Sequence, residues 1–413
     1  MHPEQIDHFL DKQAETAVYL QREMVALPAL GPKNGGQGEH HKAEFLTTYL
    51  KQLGLKDIRQ LPADDPQVES GQRPNTAAVL PGKNPGRTLW IISHLDIVPP
   101  GDLSHWKTDP FTLHQEGDLL YGRGTEDNHH GIVSSLLAAK ALLETSAVPK
   151  TNLGLLFVSD EETGNEFGLE FLFRQHRDLF DPGDLFLVPD FGTPDSNLVD
   201  VSEKGLMWLK ITVLGKQCHG STPEEGRNSL LAASAAILEL RELYSRFNRE
   251  NPLFAPSYST FEATRKEENV PNINTIPGKD VFYLDCRILP EYDLEEVIAS
   301  VQEICGRIAS SYGVDIQVET VHRESAPATD ESHPFVQALL RSIRAVYSAS
   351  PAPKGIGGGT VAAFPRKEGF PAAVWATLLG NAHQPNEHTS IRNMLSDAKV
   401  MAHLALQLPE DSS

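Results

Sequence analysis

Cysteine is scarce in this sequence. Only three occur in 413 residues (Cys218, Cys286 and Cys305), an odd, widely spaced set with no CxxC, which supports neither a disulfide framework nor a thiolate zinc site and fits a reducing compartment. Positive charge is also short: 36 Lys plus Arg stand against 56 Asp plus Glu, a net charge of −20. Such a balance repels polyphosphate, so neither nucleic acid nor an anionic membrane is expected as a partner. No apolar run reaches the roughly 18 residues of a membrane span, and the opening MHPEQIDHFLDKQAETAVYL lacks a basic start followed by an apolar stretch. The expectation is a cytoplasmic protein. Fixed-period repeats and low-complexity tracts are missing, which removes solenoids and propellers.

What the chain does have is an ordinary water-soluble composition, 40 % apolar and 22 % charged, with material for a large core. At about 150 residues per domain, its length suggests two or three domains. Short apolar runs alternate with helical patterns in the first half: TLWII at 88–92, a helix from Gly131 to Glu144, LGLLFV at 153–158 and LFLV at 185–188. Continuous apolar strands separated by helices predict an α/β fold, a mainly parallel sheet with helices on both faces. Near Glu203 the pattern changes. Met207, Leu209, Ile211 and Val213 alternate with more polar neighbours, and a helical stretch from Ser229 to Phe247 follows. Next come a strand-like SYSTFEA at 257–263, VFYLDC at 281–286, a helix opened by Asp293 and VDIQVETV at 314–321. That order, βαββαβ, predicts a ferredoxin-like α+β module. A helix around 334–347 and a strand at 373–378 return to the α/β style. We therefore expect one α/β domain over residues 1–203 and 322–413, interrupted by a smaller domain over 204–321.

The polar residues that follow the apolar runs carry the chemistry. TLWIISHLDIVPPGD ends a strand with His94 and places Asp96 two residues on; loops at the carboxyl ends of parallel strands open into the crevice where ligands collect. LYGRGTEDNHHG puts Asp127 in a glycine-containing turn just before a helix, where the ordinary alternative is a solvated N-cap. In LLFVSDEETG, Glu161 and Glu162 follow another strand, and neighbouring carboxylates there repel each other unless a cation joins them or both face water. LFLVPDFGT places Asp190, and AVWATLLGNAHQPNEH places His383, after two more apolar runs. Any one of these is ordinary loop polarity. Together, His94, Asp127, Glu162, Asp190 and His383 all sit just past strands or before a helix, a coincidence that independent loops rarely produce. Two imidazoles with three carboxylates suit zinc, or alternatively cobalt or manganese. Five side chains exceed the three usual at one catalytic zinc, so a pair of divalent ions sharing a carboxylate is the simpler count.

Taken in series across nearly the whole chain, HLDIVPPGD, GRGTEDN, SDEETG, VPDFGT and NAHQPNE resemble the motifs of the two-metal aminoacylase, acetylornithine deacetylase, succinyl-diaminopimelate desuccinylase and carboxypeptidase G metallopeptidase family. The resemblance implies a zinc-exopeptidase-like fold with an inserted lid and dimerisation domain, and a metal-dependent amide hydrolase. It implies that His94, Asp127 and Asp190 hold one metal and that Asp127, Glu162 and His383 hold the other. Asp127 would be the bridge, Asp96 would orient His94, and Glu161 would be the general base; a cis peptide between Asp127 and Asn128 is also implied. On that reading two cations lower the pKa of a shared water toward neutrality, and Glu161 takes its proton and later delivers it to the leaving amine. A free amino acid is then released from an N-acyl amino acid or a short peptide.

The resemblance extends to the substrate. Asn274, Arg287 and the glycine segment GIGGGT, with Gly358, Gly359 and Thr360, are implied to hold its carboxylate, a guanidinium being suited to bidentate carboxylate binding. His219, in GKQCHGSTP, is similar to the lid histidine that in dimeric members reaches the partner's site and helps hold the oxyanion, so a homodimer through the lid is expected. The chain departs from the family pattern after Asp127. Many members carry a Lys there, whereas this chain has Asn128, His129 and His130; the two imidazoles are expected as solvated helix-start residues, with substrate or stray-metal binding as the alternative. Asp190 stands where deacetylases and desuccinylases usually have Glu and the dipeptidase and tripeptidase branch has Asp. A strict dipeptidase or aminopeptidase is therefore the alternative to a deacylase. A non-catalytic binder of carboxylate ligands is the reading from another class, and the presence of Glu161 with the complete ligand set argues against it.

Overall fold

The computed structural model describes residues 3–325 and 327–409, so the outermost residues of the expected α/β domain, 1–2 and 410–413, lie outside it, as does residue 326. The chain divides into two compact units. One runs to Val201 and resumes over Thr329–Pro353 and from Thr360; the other comprises Ser202–Ala328 with Lys354–Gly359.

In the first unit, four parallel strands lie side by side in the order Thr151–Val158, Asn84–His94, Leu185–Gly192 and Ala372–Ala376. Thr76–Leu80 and Asp57–Gln60 extend the sheet antiparallel on one side. On the other side Asp200, in the strand Leu198–Glu203, pairs antiparallel with Val374. The expected α/β fold with a mostly parallel sheet is thus present. Successive residues of each apolar run enter different cores. Leu89, Ile91, Leu155 and Leu187 pack with the helices Ala14–Val25, His129–Glu144, Pro334–Val346 and Ile391–Gln407, whereas Trp90, Ile92, Leu156 and Phe186 pack on the opposite face with the helix Leu169–Gln175. Burial on both faces is why these strands read as unbroken apolar stretches.

Asp184 closes the amino ends of the strands, accepting from Thr88 N at 2.7 Å and Trp90 Nε1 at 2.8 Å. Gly154 is needed beside that indole: a Cβ there would fall 2.2 Å from the Trp90 ring. The carboxyl ends of the same strands are left to the loops that carry the polar motifs.

The second unit has an antiparallel sheet in the order Thr260–Lys266, Lys279–Ile288, Gly205–Leu214 and Asp315–Glu324. With helices Ser229–Glu239 and Leu294–Tyr312 between strands, this is the βαββαβ order of a ferredoxin-like module. Met207, Leu209, Ile211 and Val213 are buried, as their alternation predicts. Asp293 caps the second helix by accepting from Glu295 N. The strand expected at 257–263 instead spans Thr260–Lys266. The physical reason lies in distant partners: the Lys204 ammonium takes the carbonyls of Pro256 and Tyr258, and the Ser259 hydroxyl accepts from Leu289 N, so these residues leave the ladder.

All three cysteines are free thiols, and Cys286 and Cys305 belong to this unit's core. Among the described residues no helix is long and apolar enough to cross a membrane.

Candidate metal centre

The four parallel strands deliver their next residues to one edge of the first unit. His94 ends its strand, Glu161 and Glu162 follow Thr151–Val158, Asp190 lies near the end of Leu185–Gly192, and His383 sits in the loop after Ala372–Ala376. Asp127 enters from the turn before the helix His129–Glu144. The structure brings all of them together. Asp127 faces two imidazoles at once, with Oδ1 2.8 Å from His94 Nε2 and Oδ2 2.9 Å from His383 Nε2. His94 Nε2 also lies 3.3 Å from Asp190 Oδ1, and His383 Nε2 lies 3.0 Å from Glu162 Oε1. Glu161 groups with His94 and Asp190, their ligand atoms all within 4.8 Å of one another, as do those of His94, Asp127 and Glu162. The bond between Asp127 and Asn128 is cis.

The N-cap alternative for Asp127 does not hold. Asn128 occupies the N-cap position and makes no side-chain cap bond; its Nδ2 donates instead to Pro189 O at 2.8 Å and to Asp190 Oδ1 at 2.7 Å. Asp96 meets His94 mainly through its backbone, 3.0 Å from His94 Nδ1 to the Asp96 carbonyl and 3.5 Å to its carboxylate. The Asp96 carboxylate is occupied by the main chain of the paired glutamates, accepting from Glu161 N at 3.1 Å and Glu162 N at 3.0 Å. Behind them, Asp160 takes a left-handed φ of 63° and lies 3.8 Å from Arg73, which Glu39 holds through both carboxylate oxygens.

Electrostatics sharpen the picture. Burial, with the Asp190 charge next, pushes the Glu161 carboxyl well above the usual carboxylate range. Hydrogen bonds to Asp127 and then Glu162 raise His383 to about 10. Burial alone would lower His94, but the carboxylates of Asp190 and Asp127 hold it well above the usual histidine range. Each Nε2 therefore faces two carboxylate oxygens, while a ring nitrogen offers only one proton or one lone pair. Two oxygens converging on one nitrogen, twice over, form a donor set better matched by a cation than by a proton. Imidazole and carboxylate donors fit zinc, cobalt or manganese.

One expectation is corrected. His129 and His130 are not solvated helix-start residues but fully buried, because the helix they open is packed on nearly every side. His130 bridges Thr389 Oγ1 and Asp397 Oδ2, each at 2.8 Å. His129 Nε2 lies 2.7 Å from the buried ammonium of Lys42, which also donates to Leu95 O at 2.9 Å. Burial pulls Lys42 down to about 7.

Sequence reasoning also missed Glu126 and Glu387, both buried. The available signal was their position, one residue before Asp127 and four after His383.

The remaining expected residues belong to the second unit, except Thr360. Arg287 is held by Asp285, Nε to Oδ1 at 2.9 Å and Nη2 to Oδ2 at 3.2 Å, and its Nη1 donates to Gly357 O at 2.9 Å. His219 and Asn274 are exposed. His219 Nδ1 lies 2.7 Å from Ser221 Oγ and 3.2 Å from Ser221 N. Gly358 and Gly359 are exposed with no positive φ, and a Cβ on Gly358 would meet nothing within 4 Å. In the first unit, Thr360 Oγ1 accepts from Ala362 N at 3.2 Å.

Comparison with known proteins identifies the family. Residues 90–407 match the family described as Peptidase family M20/M25/M40. The chain belongs to that family. An uncharacterized metallohydrolase of Methanocaldococcus jannaschii is 40 % identical to this M20 protein over 402 residues, 94 % of this chain and 98 % of that one. A succinyl-diaminopimelate desuccinylase of Acinetobacter baylyi is 26 % identical over 324 residues, 76 % of this chain and 82 % of that one. A solved Bacillus subtilis structure, described as a dinuclear metal binding peptidase from the M20 family, shares the fold with a TM-score of 0.68 at 16 % identity, covering 96 % and 99 % of the two chains. This M20 member is a metallohydrolase of the peptidase or deacylase type.

Proposed function

We propose that the chain is a two-metal amide hydrolase that releases a free amino acid from an N-acyl amino acid or a short peptide bearing a free carboxylate. The observation that carries this reading is Asp127, whose two oxygens meet two different imidazoles. His94, Asp127 and Asp190 hold one ion, and Asp127, Glu162 and His383 hold the other; zinc suits the donors, with cobalt or manganese as substitutes. Bound there, the ions supply Lewis acidity, which polarises the scissile carbonyl and makes water acidic enough to attack near neutral pH. Glu161 does the proton work. It accepts a proton as the water oxygen bonds to the carbonyl carbon, then passes that proton to the nitrogen as the C–N bond breaks, giving a carboxylic acid and an amine. Asp96 fixes the paired glutamates through their backbone amides.

Arg287 and Asn274, with the backbone of Gly358 and Gly359 and the hydroxyl of Thr360, hold the substrate carboxylate. Asp285 keeps the Arg287 guanidinium in a fixed orientation and leaves N–H groups for a ligand. The unstrained, uncrowded Gly358 supports a segment kept small for a ligand rather than for its own turn.

His219 serves the active site of a second copy in a homodimer formed through the second unit. The exposed Leu230, Leu231 and Leu238 on the helix Ser229–Glu239, the last 70 % accessible, support an interface there.

The test is an assay of the metal-reconstituted protein on N-acetyl and N-succinyl amino acids beside dipeptides, with released amine measured. Turnover of acylated amino acids supports the deacylase reading. Turnover of dipeptides alone makes the protein a strict dipeptidase, and no turnover of either leaves a non-catalytic carboxylate binder.

A further inference from the structure

Two buried carboxylates outside the ligand set tie the loops of Asp127 and His383 to each other, and they do so reciprocally. Glu126, the residue before Asp127, sends its carboxylate to the chain that leads into His383: Oε1 accepts from Leu379 N and, at 3.1 Å, from Gly380 N, and Oε2 accepts from Asn381 N at 2.6 Å. Glu387, four residues after His383, sends its carboxylate back. Its Oε1 accepts from Glu126 N at 2.9 Å and Asp127 N at 3.1 Å, and its Oε2 accepts from Gly124 N at 3.1 Å and Arg123 Nη1 at 2.5 Å. Arg123 also reaches the His383 carbonyl at 3.4 Å, and Asn381 closes the base of the His383 loop by pairing with His388 N and O.

Buried main-chain N–H groups need acceptors, and a carboxylate is the side chain able to take three at once. Neither glutamate spends its oxygens on its own loop alone. Sliding the His383 loop away from Asp127 breaks both sets of bonds together.

We propose that Glu126 and Glu387 are positioning residues that fix the His383 loop against Asp127 and thereby set the affinity of the ion held by His383. The proposal rests on the ligand assignment above, so that assignment is checked first. Calorimetric titration of the metal-free parent with Zn²⁺ should show two sites, and His383→Ala should show one. Glu126→Gln keeps the size and one acceptor oxygen but turns an N–H donor toward the loop's own N–H groups. It should weaken the His383-side ion about tenfold to a hundredfold, the usual range for residues that orient ligands, with the other ion unchanged and the Co²⁺ absorption spectrum altered for one site only. Glu126→Asp, which retains both oxygens on a stem one methylene shorter, is the second variant and should recover part of the affinity.

Asp184→Asn is the control, since Asp184 is a comparable buried acceptor of backbone N–H groups at the amino ends of the strands. It should lower the thermal midpoint without moving either affinity. The proposal is overturned if folded Glu126→Gln, or Glu126→Asp where the former does not fold, binds both ions as the parent does. It is equally overturned if both ions weaken alike, or if Asp184→Asn shifts metal affinity as far. Failure of the parent to show two sites, or of His383→Ala to lose one, refutes the ligand assignment instead.

Discussion

The first unit and the second hold their candidate residues in opposite ways. In the first, His94, Asp127, Glu162 and Asp190 are largely buried and His383 is half exposed, yet each is fixed by named bonds to another member of the set or to the loops that carry it. In the second, His219, Asn274, Gly358 and Gly359 are exposed, and Arg287 is paired with Asp285. A site whose groups are already in place loses little entropy when its ligand arrives, whereas exposed side chains are ordered at the moment of binding. On this account metal binding is built into the fold, and substrate handling is left adjustable.

The largest effect separating the two regions is expected inside the first. Glu161→Gln should lower kcat about a hundredfold to ten-thousandfold with metal content unchanged, the range for a lost general base. Glu162→Gln should instead weaken metal binding, and if metal analysis and kinetics show the two phenotypes exchanged, the assignment of base and ligand is wrong. Next in size is His219→Ala, which should cost about a hundredfold to a thousandfold in kcat with little change in metal content. Co-expressing His219→Ala with Glu161→Gln should restore activity, since each hybrid dimer has one site with both residues intact. Verified hybrids without activity, or full activity of His219→Ala alone, would place the histidine's role within its own chain or in structure only.

The smallest effect belongs to Arg287→Ala. It should depress kcat/KM on substrates with a free carboxylate by about 2 kcal/mol, the low end for a truncated charge pair because Asp285 already shares the guanidinium. Amidated substrates should lose much less. Equal losses on both would show that Arg287 serves the fold.

That the expected ligand residues would converge was legible because all but Asp127 close or follow an apolar strand, and a parallel sheet sends such positions to one edge, while Asp127 stands in the turn before a helix. The alternation of Met207, Leu209, Ile211 and Val213 was equally readable. The glutamates that grip backbone amides were not. An acceptor of N–H groups from a loop some 250 residues away leaves no periodic trace, and Glu126 and Glu387 look like any acidic loop residues. His129 and His130 were misread for a related reason. The first turn of a helix is usually wet, and only the packing of His129–Glu144 on nearly every side reverses that rule. The strand shift at 257–263 came from Lys204, distant in sequence and invisible to local propensity.

The central claim is that Asp127 joins two metal sites, and metal content measured alongside activity tests it most directly. Elemental analysis of the purified protein should saturate at two divalent ions per chain, with activity lost to a chelator and regained on adding metal back. Saturation at one ion with full activity would contradict the bridging role of Asp127 and the account built on it.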